Sequence, residues 1–266
     1  MVSIILPYYN RKPLLLNTMK SLEHFYTGKD VEVVIVDDCS IEEHIIDRHD
    51  FKIKTKVVRL ENKNGINPCY PYNVGVRESS GNILVLSSPE TFHTCDMFKL
   101  TNNFKKLSNN NYLLLSVFCL TDKSLIDGVL NENNFDNVIN NIKSNTSNFY
   151  SNLGENGYSF NNRFGSWYLH GQIRPSGLNF FTVITRNKYY EMSGFDERFR
   201  FGTGFDDNEF KDRLVESNTE FIYYDDAVGI HINHEVVNNS APTTNESVYQ
   251  ASKINTYKKN DEWGKH

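Results

Sequence analysis

The sequence predicts an α/β protein: a Rossmann-like, mostly parallel central sheet flanked by helices. Three observations predict it. Short apolar, β-branched runs alternate with helical patterns along the first 120 residues, the signature of parallel strands joined by right-handed crossovers. The early runs stop abruptly at polar residues, and in an open α/β sheet ligands bind just beyond the carboxyl ends of the strands. Finally, 266 residues with 39% hydrophobic content, including 18 Phe and 15 Tyr, can bury a substantial core.

The elements follow in order. Residues 3–6 form a short buried strand. Asn10 is placed to cap the next helix, Pro13 is tolerated in its first turn, and Leu14, Leu15, Leu16, Met19 and Leu22 give that helix its buried face. Residues 31–36 form a second strand, after which Ser40-Ile-Glu-Glu43 reads as a capping box opening a second helix. A third strand over 56–60 runs into a polar loop over 61–68, a helix spans 70–78, and a fourth strand spans 82–86. Residues 112–120 are another buried strand. The stretch 121–174 loses periodicity into Asn, Ser and Gly with isolated aromatics, and so long an irregular stretch in a compact domain is functional or mobile. Strand character returns at 180–185 and 220–224. Between them residues 207–217 are helical, with Phe210 and Leu214 one turn apart.

Composition narrows the function classes. A net charge of −5 gives no basic footprint for nucleic acid. No apolar run approaches the roughly 20 residues of a transmembrane helix, and no signal peptide is expected at the first strand. Cys39, Cys69, Cys95 and Cys119 are scattered without Cys-x-x-Cys spacing. Reduced thiols and a cytoplasmic location are therefore expected, with peripheral membrane attachment left open.

Three segments concentrate the chemistry: Val2-Ser-Ile-Ile-Leu-Pro-Tyr-Tyr-Asn-Arg11, Val31-Glu-Val-Val-Ile-Val-Asp-Asp-Cys-Ser40 and Gly202-Thr-Gly-Phe-Asp-Asp-Asn-Glu-Phe210. In this order they resemble the family 2 glycosyltransferases of the GT-A fold, over roughly residues 1–235. The resemblance implies a GT-A domain over 1–235, with a nucleotide half to about 120 and an acceptor half beyond it. It implies a carboxyl-terminal lid or extension over 236–266. Pro7, Tyr8, Tyr9 and Asn10 would then meet the nucleotide, as would Asp37 or Asp38, with Asp38 closest to the family's base-binding carboxylate. A carboxylate there can accept a uracil N–H; the plain alternative is that both acids start a turn. Asn64 lies in the following loop. Asn73 and Gly75 match the family's Arg-Asn-x-Gly, whereas Tyr72 stands where the Arg usually is.

The family's Asp-x-Asp after the fourth strand is replaced by Ser87-Ser-Pro-Glu90. Either Glu90 supplies a carboxylate from a shifted loop, or the metal is absent and activity is weakened or lost. His231-x-x-His234 reproduces the spacing of the family's late metal donors. Mn²⁺, or Mg²⁺, is the implied ion, and imidazole suits Mn²⁺ better.

Ser193-Gly-Phe-Asp-Glu197 and Gly204-Phe-Asp-Asp-Asn-Glu-Phe210 resemble the family's acceptor-side segments and set Asp207 at the catalytic position with Asp206 beside it. A sugar hydroxyl needs a carboxylate to take its proton, and one base opposite the leaving group implies inversion. Gly204 would allow a tight acceptor approach. Trp167, Tyr168 and His170 could stack on a sugar or belong to the core. The implied reaction moves a sugar from a UDP-sugar to a glycan, glycolipid or glycoprotein hydroxyl. A non-catalytic nucleotide- or carbohydrate-binding relative is the alternative. A nucleotidylyltransferase would need a Gly-rich, basic loop after the first strand, which Tyr8-Tyr9-Asn10-Arg11 is not.

Overall fold

The computed structural model describes residues 1–63, 65–97, 107–121, 137, 140, 166–234, 244–254, 257 and 261–266. Among these residues nine strands form one sheet: β1 Val2–Tyr8, β2 Val31–Asp37, β3 Thr55–Arg59, β4 Ile83–Ser87, β5 Thr91–His93, β6 Asn111–Leu120, β7 Ser166–Leu169, β8 Phe181–Thr185 and β9 Glu220–Ile232. Five helices are described: α1 Lys12–Tyr26, α2 Cys69–Glu78, α3 Arg186–Glu191, α4 Asp206–Glu216 and α5 Glu246–Ile254. The strand order is β3-β2-β1-β4-β8-β6-β9-β5, with β7 on β6.

The first four strands pair in parallel. Every residue of β1 and β2 is buried, which explains why both read as unbroken apolar runs rather than alternating ones. Helix α2 lies against them without a gap. A Cβ on Gly75 would come within 2.5 Å of the Ile5 side chain and 3.0 Å of Val36, so the helix can sit this close only with glycine there.

Beyond β4 the sheet becomes mixed. Strand β8 is antiparallel to β4 and β6, β6 and β9 are parallel, and β5 is antiparallel to β9. Strand β9 runs far past the expected 220–224. Leu115 pairs with Tyr224 but Ser116 pairs with Val228, leaving an irregularity at residues 225–227. The polar break is satisfied locally, because Asp225 accepts from the Ser116 hydroxyl and the Gly171 N–H, both at 2.7 Å.

Two expected helix starts differ. Arg11, not Asn10, is the N-cap of α1, and no side chain caps it. The capping box at 40–43 opens only a short 3-10 turn, Glu42–His44, again without a side-chain cap. Ser40 is already engaged with Asn10.

The carboxyl-terminal segment was expected as a lid or extension. Residues 235–243 lie outside the described residues. The part that is described packs into the body: Trp263 is 2% exposed and belongs to the main core, with Tyr189 and Tyr190 against its ring. The Lys265 carbonyl accepts from Tyr70 and the Gly264 N–H donates to Glu197. Trp263 and Gly264 are therefore packed into the body, while residues 261, 262, 265 and 266 around them are exposed.

Candidate active site

The carboxyl ends of β1, β2 and β4 open on a pocket of about 230 Å³. Pro7, Tyr8, Tyr9 and Asp38 line it, as do Tyr72, Glu90 and Thr203. Tyr8 donates its hydroxyl to the His44 carbonyl at 2.6 Å. Burial, then the nearby Asp37 charge, raises its phenol pKa well above the ordinary value. Asn10 has a left-handed φ of 51°. Its N–H donates to Ser40 Oγ and its Oδ1 accepts from the Ile41 N–H, each at 2.9 Å. Its side chain thus fastens the loop after β1 to the loop after β2.

The adjacent carboxylates Asp37 and Asp38 have separate tasks. Asp37 is 1% exposed and accepts from the Ser40 N–H at 2.8 Å and Arg59 at 2.6 Å. Both acceptors work for the fold, and Asp37 is not among the pocket walls. Asp38 does line the pocket and pairs with Lys63, whose ammonium lies 3.8 Å from the centre of the Tyr9 ring. Asn64 lies outside the described residues.

Asn73 is corrected from a nucleotide contact to a structural bolt. It is fully buried, its amide donates to the Phe195 carbonyl and Glu197, and its Oδ1 accepts from the Tyr189 hydroxyl and the Phe195 N–H. With both donors and both lone pairs engaged, it locks α2 to the segment leading to α4. Tyr72 faces the pocket instead, donating its hydroxyl to the Ser87 carbonyl at 3.0 Å.

Glu90 also lines the pocket and groups with His231 and His234. One ligand atom from each lies within 4.8 Å of the others. Glu90 is 3% exposed and is followed by β5 rather than a helix. Its Oε1 lies 3.8 Å from His234 Nε2 and accepts from Arg11 at 2.5 Å. His231 sits inside β9, and His234 follows it. His231 Nδ1 is buried without a hydrogen-bond partner. Burial, with Arg11 and His234 adding to it against the Glu90 charge, lowers the His231 pKa to about 4. The imidazole is neutral at pH 7, the form that donates a lone pair. An orphaned, neutral imidazole beside a buried carboxylate fits a divalent cation.

Asp206 and Asp207 open α4, and the preceding backbone takes an unusual course to place them. Gly204 has φ of +69° and the α4 N-cap Phe205 has φ of 67°. A Cβ on Gly204 would meet nothing within 4 Å, so this glycine serves conformation rather than close approach. Asp206 accepts from Asn67 at 2.8 Å, and Asn67 also lines the pocket. Burial raises the pKa of Asp206. Burial, then the Asp206 charge, pushes that of Asp207 up to about 7. Asp207 accepts its own helix's Asn208 N–H at 2.9 Å.

The proposed aromatic platform divides. Trp167 is 3% exposed and belongs to a second apolar cluster with Phe92, Phe118, Leu120, Val228 and Ile230. It is core, not an acceptor surface. His170 is buried against Trp167 and lies 3.4 Å from Asp225, which is part of the β9 irregularity. Tyr168 is half-buried, with its ring centre 5.4 Å from that of His231. Arg11, Lys63 and Asn67 are pocket residues that the sequence reading passed over; only the loop position of each pointed to them.

Residues 3–95 match the family described as Glycosyl transferase family 2. An uncharacterized glycosyltransferase of Haemophilus influenzae is 32% identical over 120 residues, covering 45% of this chain and 40% of that protein. The poly(ribitol-phosphate) β-N-acetylglucosaminyltransferase TarS of Staphylococcus aureus is 26% identical over 118 residues, covering 43% of this chain and 20% of TarS. The chain thus spans two fifths or less of these curated relatives. The crystal structure of TarS 1–349 with UDP-GlcNAc superposes with a TM-score of 0.64 at 16% identity, covering 95% of this chain and 64% of that one. A structure of GalNAc-T7 with UDP, GalNAc and Mn²⁺ gives 0.60 at 13%, covering 96% and 48%. The family match thus covers the first strands, and the sheet behind them has the GT-A fold of these glycosyltransferase structures.

Proposed function

We propose that the protein is an inverting glycosyltransferase that moves a sugar from a UDP-sugar to a hydroxyl of a glycan, glycolipid or glycoprotein. The observation that carries this reading is the set of acids around one pocket: Asp38 and Glu90 both line it, His231 and His234 group with Glu90, and Asn67 links the pocket wall to Asp206. The UDP-GlcNAc complex of TarS supports UDP as the nucleotide.

Asp38 accepts the uracil N–H, and Tyr8 and Tyr9 wall the base. Glu90, His231 and His234 are the residues that would hold Mn²⁺ or Mg²⁺, which supplies neutralisation of charge on the diphosphate. Asp207 takes the proton from the acceptor hydroxyl as that oxygen bonds to the anomeric carbon. The bond to the diphosphate oxygen breaks on the opposite face, and UDP leaves with the electron pair. A carboxylate with a pKa near the working pH balances the ionised fraction against proton-accepting strength. Asp206, held by Asn67, keeps Asp207 in place.

A panel of nucleotide sugars assayed for UDP release with Mn²⁺ tests the reading, with proton NMR of the glycoside reporting the anomeric configuration. Retained configuration would remove Asp207 from the base position. The second reading, a non-catalytic binding relative, has its own observation: Ser87-Ser88-Pro89 stands where the family carries acids. Tight UDP binding without turnover of any sugar nucleotide would establish it.

A further inference from the structure

We propose that Arg11 is an exchangeable internal cation: it neutralises Glu90 when no metal ion is held, yields that carboxylate to the ion, and then serves the donor's diphosphate. The proposal rests on reading the pocket as a metal-assisted sugar-nucleotide site.

Three observations converge on it. The Glu90 side chain is only 4% exposed, and a carboxylate that buried needs a counter-charge. Arg11 provides one at 2.5 Å, on Oε1. That same Oε1 is the atom nearest His234, at 3.8 Å. A metal ion held by Glu90 and His234 and the guanidinium of Arg11 therefore compete for one oxygen.

The exchange leaves Arg11 somewhere useful. Its side chain is 25% exposed and belongs to the pocket wall. Among the described residues, Arg11 and Lys63 are the two cationic side chains lining that pocket. Lys63 sits beside Asp38 and Tyr9, where the base is read. Arg11 sits beside Glu90, where the diphosphate must lie if the metal is to meet it. Tyr72 lines the same pocket with a neutral hydroxyl already given to Ser87, so among the described pocket residues Arg11 is the cation placed to add its charge to the metal's. A guanidinium fork matches phosphate oxygens well.

The signature is a pair of effects with opposite sign. Binding of Mn²⁺ alone is followed by the electron paramagnetic resonance of the free ion, and binding of UDP in saturating Mn²⁺ by calorimetry. Arg11→Gln removes the competitor, so Mn²⁺ should bind roughly three- to tenfold more tightly, the worth of a partly exposed ion pair. UDP should bind about tenfold or more weakly, through the loss of a charge-assisted contact. Unchanged or weaker Mn²⁺ binding, or unchanged UDP binding, overturns the proposal. Arg11→Lys covers the case in which the glutamine variant does not fold. It keeps the charge on a shorter reach, so UDP affinity should still fall, and a wild-type UDP affinity would count against the exchange. Glu90→Gln separates the two levels of inference. If it binds Mn²⁺ like the wild type, the metal assignment itself has failed. If it loses Mn²⁺ while Arg11→Gln leaves the affinity unmoved, only the exchange has.

Discussion

The two halves of the sheet treat their acids in opposite ways. In the parallel half, Glu32 is buried, yet its bonds from Ser3 and Ser80 and the Lys54 ammonium outweigh the burial and keep its pKa below the ordinary value. Asp37 is likewise provided with Ser40 and Arg59. In the mixed half, burial dominates, and the carboxyls of Asp206, Asp207 and Glu209 all titrate above their usual range. The first arrangement stabilises a scaffold. The second holds charge at a cost, which a protein tolerates where protons are to be moved.

The sharpest way to break that contrast is Asp207→Asn. The amide keeps shape and hydrogen-bonding reach but cannot accept a proton. Turnover should fall by roughly 10²–10⁴-fold while UDP-sugar binding stays near normal. In the parent, the rate should decline as pH drops through about 7, because the carboxyl is then protonated. Unchanged turnover would make the acidic cluster a scaffold feature like the other half.

Asn73→Ala tests the junction between the halves. It strands the Phe195 N–H and carbonyl together with the Tyr189 hydroxyl. A loss of about 2–4 kcal/mol in urea denaturation is expected from such buried, unsatisfied groups. If stability were kept and only UDP affinity fell, Asn73 would be a ligand contact after all.

Neighbours in sequence can be set against each other in the same way. Asp38→Ala should lower UDP affinity about tenfold, the worth of one charge-assisted hydrogen bond, with little effect on stability. Asp37→Ala should destabilise the loop after β2 by about 1–3 kcal/mol, since Ser40 and Arg59 lose their acceptor. Parent protein that binds GDP as well as UDP would remove Asp38 from base reading.

How legible each half was follows from the same physics. Strands buried on both faces are continuous β-branched runs, so β1 and β2 were plain, and the resemblance at their ends pointed to the pocket. Strand β9 was cut short because Asp225-Asp226 reads as a terminus, and only tertiary partners such as Ser116 show the strand continuing past it. Strand β5 is three residues in a loop, too short to have a period. Asn73 looked like a ligand because a polar residue in a helix gives no hint that four partners surround it. Trp167 and Trp263 carried no signal separating core from surface: each lies in a stretch without periodicity.

The smallest effect expected concerns stability and again turns on Asp207. Its folded pKa, raised by burial and by Asp206, lies above its unfolded one. Such a group contributes stability that is fully present below the unfolded pKa and is lost as pH rises through the folded value. The parent should therefore lose stability between about pH 4 and 7, and Asp207→Asn, which never ionises, should lose less. Because Asp207 is only half-buried, solvent screening limits the gain to about 1 kcal/mol, or about 2–4 °C in Tm at pH 8. The two melting curves should converge near pH 4. Divergence at low pH instead would mean that Asp207 is stabilised as a carboxylate, like Glu32, and that the two halves do not differ in the way proposed.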